Sequence, residues 1–137
     1  MRRRVEAYLD QGRGSCYLRN PIIATIVQNA LLFHDARKYR LIAWVVMPNH
    51  THILCTPRAG HSLAEIMHSI KSFTSSEANK SLNRSGRFWQ KEYFDRYIRN
   101  ARQFSKTVAN IESNPVKANL CDRPEDWPFS SARFRFR

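Results

Sequence analysis

Trp44-Val45-Val46-Met47-Pro48-Asn49-His50-Thr51-His52-Ile53-Leu54 decides how this chain is read. An apolar, β-branched run enters the segment, Pro48-Asn49 supply a tight turn, and a second run leaves it, which is the pattern of a β-hairpin. Side chains alternate faces along a strand, so His50 and His52 point the same way, about 6 to 7 Å apart along the backbone. Two imidazoles so spaced can share one metal ion, or can simply line the polar side of a half-buried strand. Cys55 does not extend the set to a three-ligand zinc site, because alternation sends residue 55 to the opposite face.

Outward from the hairpin, Tyr39 to Val46 forms its first strand and His50 to about Thr56 its second. Upstream, Pro21 suits the first turn of a helix reaching about His34, with an apolar stripe of Ile22, Ile23, Ile26, Val27, Ala30 and Leu31. Residues 1–18 read as a basic arm, with a short helical pattern over Val5 to Leu9 and a Gly12/Gly14 break. Downstream, Ser62-Leu63-Ala64-Glu65 has the form of a capping box, and Leu63, Ile66, Met67, Ile70 and Phe73 repeat at helical spacing. Asn79 to Gly86 reads as a loop, and Phe88-Trp89 and Tyr93 to Ile98 as short strand-type segments. Asn100 caps a last helix that places Phe104, Val108 and Ile111 inward and ends near Asn114, since Pro115 lacks the N–H to continue it. Residues 116–137 form a tail. The order of elements predicts an α+β, ferredoxin-like antiparallel sheet with helices packed on one face, in one domain spanning residues 1–137.

Composition narrows the partner. The 137 residues carry 23 Lys and Arg against 11 Asp and Glu, a formal charge of +12. Such an excess attracts polyanions, and arginine's planar fork suits phosphate and guanine edges. No apolar run reaches the roughly 18 to 20 residues of a membrane span, so a cytoplasmic protein with no membrane partner is expected, nucleoid-associated if its polyanion is DNA. Cys16, Cys55 and Cys121 are odd in number and widely spaced, and read as reduced thiols rather than a disulfide framework. Lys71, Arg87, Trp89, Arg96 and Arg99 are candidate nucleic-acid contacts, by charge and by base stacking. Lys117 is another, although a cation after a helix C-terminus also suits the dipole.

Met-Pro-Asn-His-x-His followed by apolar residues resembles the metal-binding strand of the HUH single-strand DNA transposases, in their REP-associated tyrosine branch. Four further segments agree in order and spacing: Leu31 to Leu41, Gly60 to Phe73, Phe88 to Arg99, and Asn114 to Ser131. The resemblance implies the ferredoxin-like fold. It also implies single-stranded or hairpin DNA as partner, and a Mg2+ or Mn2+ ion held by His50, His52 and a third side chain, Asn114. A tyrosine would then nick the strand through a covalent 5′-phosphotyrosine and allow rejoining. Some branches of the family act as homodimers, which makes a homodimer a further expectation.

Two departures matter. The helix segment that in the family resembles Tyr-Ile-x-x-Asn-Pro-Val-Lys reads Asn110-Ile111-Glu112-Ser113-Asn114-Pro115-Val116-Lys117 here, and an amide cannot act as the attacking nucleophile. The family's opening strand is also not legible in residues 1–18, so a sheet lacking it, as in a truncated or decayed copy, is expected. The catalytic position is therefore Asn110, with Tyr97, or Tyr93 beside it, as a substitute nucleophile. The alternative is a domesticated, non-cleaving DNA-binding protein. An RNA-binding ferredoxin-like module is a third reading, with no role for the histidines.

Overall fold

Val5, Ala7 and Leu9 alternate with Glu6, Tyr8 and Asp10, and this period of two builds a strand where a helical turn was expected. The computed structural model describes residues 3–12 and 15–135, and in it β1 (Val5–Asp10) lies inside the sheet. Of the arm, Met1 and Arg2 lie outside the described residues, as do Arg13 and Gly14 in the break and Phe136 and Arg137 in the tail. The remaining elements are α1 (Pro21–His34), β2 (Tyr39–Val46), β3 (His50–Pro57), α2 (Leu63–Leu82), β4 (Phe94–Tyr97), α3 (Ala101–Lys117) and a short α4 (Ser131–Arg135). The four strands stand in the order β2-β3-β1-β4, all neighbours antiparallel. This is the β-α-β-β-α-β arrangement of the ferredoxin-like fold. The missing strand is thus corrected: β1 sits between β3 and β4. None of the helices among the described residues is long and apolar enough to cross a membrane.

The two faces of the sheet carry separate cores. Val5, Ala7 and Leu9 of β1 join Trp44, Val46, Ile53 and Cys55 beneath Ile23, Val27 and Leu31 of α1 and Ile66, Met67 and Ile70 of α2. The opposite face holds Ala43, Val45, Met47 and Leu54, covered by Ile111, Phe104 and Val108. Helices therefore occupy both faces, not one. A bulge between Leu41 and Ala43 in β2 keeps both alternations in phase with β3.

Local chemistry explains the boundaries. The Ser62 side chain accepts from the Glu65 amide at 3.1 Å, as the capping motif requires. α2 runs to Leu82, through the first part of the expected loop, because Asn83 takes the left-handed conformation (φ 52°) that closes a helix. Asn100 accepts from the Gln103 amide at 2.8 Å and starts α3. That helix passes through Pro115, against expectation. Pro115 falls in the last turn, where its missing N–H leaves only one carbonyl unpaired. Bonds from Leu120 N to Pro115 O and from Asn119 N to Val116 O close the end in a Schellman pattern, with Asn119 at φ 61°.

Candidate functional site

β3 presents His50 and His52 on the face that α3 covers, and β1 lays three polar residues beside them. The register pairs Asp10 with His50 and Tyr8 with His52, and Glu6 follows one step along the same face. His52 is 2 % exposed and Glu6 4 % exposed. His52 Nε2 lies 2.9 Å from Glu6 Oε2, and Arg96 of β4 donates from Nε to the other oxygen of Glu6. The Tyr8 ring stacks on His52 with centroids 3.8 Å apart, and stands 6.3 Å from the His50 ring.

These contacts decide where the imidazole protons sit. A carboxylate only accepts, so His52 carries its proton on Nε2 and leaves Nδ1 with a free lone pair. His50 Nδ1 lies 3.0 Å from Asn49 Oδ1; with the amide oxygen accepting, Nε2 of His50 is the bare nitrogen. Burial pushes both imidazoles below their usual pKa, and for His52 it outweighs the opposing pull of Glu6. Both rings are therefore neutral at neutral pH, which is the protonation state a metal ligand needs.

The two histidines supply two of the donors that a divalent ion needs. Each ring keeps one lone pair, and each is oriented by a hydrogen bond from its other nitrogen, as metal-ligating histidines usually are. Among the described residues no three His, Cys, Asp or Glu side chains converge as a complete cage. A further donor is required. Asn114, the residue expected to supply it, is half-buried on α3 and makes no hydrogen bond to either histidine among the described residues. Asn110 is exposed on the same helix, and its Oδ1 accepts from Lys117 Nζ at 3.3 Å.

Several sequence-based assignments are corrected by the sheet. Tyr97 pairs with Val5, which places its side chain on the face opposite the histidines. Tyr93 packs against the α1/α2 core, on that same far side. Neither reaches His50 or His52 as a nucleophile. Trp89 is 3 % exposed and donates from Nε1 to Thr74 Oγ1 at 2.9 Å, so it is a core residue rather than a platform for bases. Lys71 Nζ donates to the carbonyls of Gln90 and Lys91, both at 2.8 Å, and ties that segment to α2. Arg87 and Arg99 are exposed, and Arg96 is bound to Glu6. Cys55 lies on the far face, as alternation requires. The residues that reading the sequence missed are Glu6 and Tyr8; the strict alternation of residues 5–10 was the signal for them.

Between the histidines, Thr51 points the other way into the α1/α2 core. It is fully buried, and its hydroxyl has no hydrogen-bond partner among the described residues. An unsatisfied buried hydroxyl costs about 1 to 3 kcal/mol. Thr51→Val keeps the shape and removes the group, and should stabilise the fold by about 1 kcal/mol. Calorimetry should show Tm higher by about 3 to 5 °C for a chain of this size. An unchanged or lower Tm would mean that the hydroxyl is satisfied, for example by water.

Comparison with known proteins bears on the family and the fold. A family model described as IS200-like transposase matches residues 19–114. The REP-associated tyrosine transposase of Escherichia coli K12 is 32 % identical over 97 residues, covering 69 % of this chain and 55 % of that protein. The chain thus spans about half the length of this curated relative. A solved REP-associated tyrosine transposase bound to a REP hairpin superposes with a TM-score of 0.74 at 24 % identity, over 95 % of this chain and 76 % of that one, and so shares the fold. With the match running from the end of the first loop through the third helix, the chain belongs to the IS200-like transposase family.

Proposed function

We propose that the chain binds single-stranded or hairpin DNA on the histidine side of its sheet and holds a Mg2+ or Mn2+ ion there. We further infer that in this copy it binds without cleaving, because Asn110 stands at the family's nucleophile position. The observation that carries the reading is the pair of neutral, lone-pair-bearing histidines on one sheet face, His52 buried and His50 half-buried. When bound, such an ion supplies charge stabilisation at a phosphodiester. His50 and His52 hold it, Glu6 and Asn49 fix their tautomers, and Lys117 stands next to Asn110 to meet a phosphate. A homodimer, with one copy's helix completing the other's site, belongs to the same reading, and so does nicking and rejoining by a chain that carries the tyrosine.

The test is equilibrium binding of a labelled DNA hairpin with a single-stranded flank. Affinity should fall more than about tenfold between about 50 and 200 mM salt, because each neutralised phosphate releases counterions. The same affinity at both salts would remove the phosphate-contact reading. Equal or tighter binding of the matching RNA would favour the RNA-module alternative.

A further inference from the structure

We propose that Phe94 and the cationic groove beside it form the path of a single DNA strand leading to the histidines, with a base stacked on Phe94 and phosphates held by Arg99, Arg102 and Lys106. This rests on the DNA-binding reading above and gives it a route.

The sheet supplies the stacking surface. α3 covers the β2/β3 half of its face through Ala43, Val45 and Leu54, whereas β4 is exposed along its length. Phe94 pairs with Tyr8 in the register, and Tyr8 pairs with His52. Directly opposed residues of antiparallel strands share a face, so Phe94, Tyr8 and His52 form one row across three strands. Phe94 is 71 % exposed at the end of that row. An aromatic ring left in water on the same face as the half-exposed rings of Tyr8 and His50 is poor use of apolar surface for folding. It suits a nucleobase, which stacks on such a ring regardless of sequence.

The groove supplies the charge. Two residues along β4 on the same face, Arg96 leads into an open groove of about 1020 Å³ whose lining includes Arg3, Arg99, Arg102 and Lys106 and no carboxylate. Arg96 is bound to Glu6, and Arg3 lies over the Tyr97 ring. The side chains of Arg99, Arg102 and Lys106 are exposed and form no ion pair among the described residues. Three uncompensated cations in one concave surface repel one another and favour a polyanion. Phe94 and Arg96 are about 6 to 7 Å apart along the strand, so one chain can place a base on the first and continue its phosphates into the groove.

The experiment measures binding of a labelled oligothymidylate of about 20 nucleotides across a salt series. Parent, Phe94→Ala, Phe94→Tyr and an Arg102→Ala/Lys106→Ala double variant are compared. Phe94→Ala should weaken binding by about five- to hundredfold, the worth of one stacked base, with the slope of affinity against salt unchanged. Phe94→Tyr should bind as the parent does. The double variant should lose about 1.4 from the magnitude of the log–log salt slope, about 0.7 for each phosphate contact removed. Phe94→Ala binding as tightly as the parent, or a double variant with the parent's slope, overturns the path while leaving DNA binding intact. Failure of the parent to bind either this strand or the hairpin overturns the DNA-binding reading itself. Tighter binding of oligouridylate overturns the assignment to DNA.

Discussion

Asn110→Tyr should give a covalent protein–DNA band on a denaturing gel after incubation with hairpin DNA and manganese, where the parent gives none. In the attack, a bond forms from the phenolic oxygen to phosphorus, the bond from phosphorus to the 3′ oxygen breaks, the phenol releases its proton, and the departing 3′ oxygen takes one up. An amide has no hydroxyl to begin this. Position 110 is exposed on α3, so the larger ring should be accommodated within about 0.5 kcal/mol of stability. Lys117 already stands 3.3 Å from the Asn110 oxygen, in reach of a phosphate brought to that position. A band from the parent that Tyr8→Phe abolishes would place the nucleophile on β1, since Tyr8 is the tyrosine stacked on His52. No band from either protein, with the DNA bound, would sink the cleavage half of the proposal.

The residues that made the fold legible were those whose local chemistry acts alone. Pro21 at a helix start, Ser62 and Asn100 as caps, and the apolar runs around Pro48-Asn49 each fix the backbone within a few residues, and all lie where the sequence places them. Errors arose where a distant partner decides. Residues 5–10 are short, and their polar members look like a solvated helix until His52 and Arg96 pair with Glu6 across the sheet. Trp89 beside Gln90 in a basic stretch suggests a surface platform. Its burial comes from packing against Phe88 and the α1/α2 core, where the Thr74 hydroxyl takes its N–H. Tyr97 fails as a nucleophile for a reason of parity alone: one residue of register decides which side of the sheet a tyrosine serves. Pro115 by its own propensity ends a helix, and only the closing bonds from Leu120 and Asn119, beyond the reach of the sequence pattern, let the last turn include it.

The second large effect should come from the histidines. Isothermal titration with manganese should find a site in the parent that a His50→Ala/His52→Ala variant loses entirely, since both lone pairs offered to the ion are removed. Glu6→Gln should act more gently, lowering affinity by about 10- to 100-fold, because it removes the carboxylate that fixes the tautomer and basicity of His52 while leaving the ligand in place. The pH dependence has a definite sign. Both imidazoles have their pKa pushed down by burial, so protons compete with the ion only below the ordinary histidine range near 6.5. Manganese affinity should hold as pH falls through about 6.5 and decline below it. The same depression means the unfolded chain takes up protons more readily than the folded one. The contribution of these two groups to the stability of the metal-free protein is therefore fully present above about 6.5 and is lost as pH drops toward the lowered folded values. Undiminished manganese binding by the double variant would show that the ion, if bound, sits elsewhere. A Glu6→Gln protein that binds like the parent would show that the 2.9 Å contact orients His52 without tuning it.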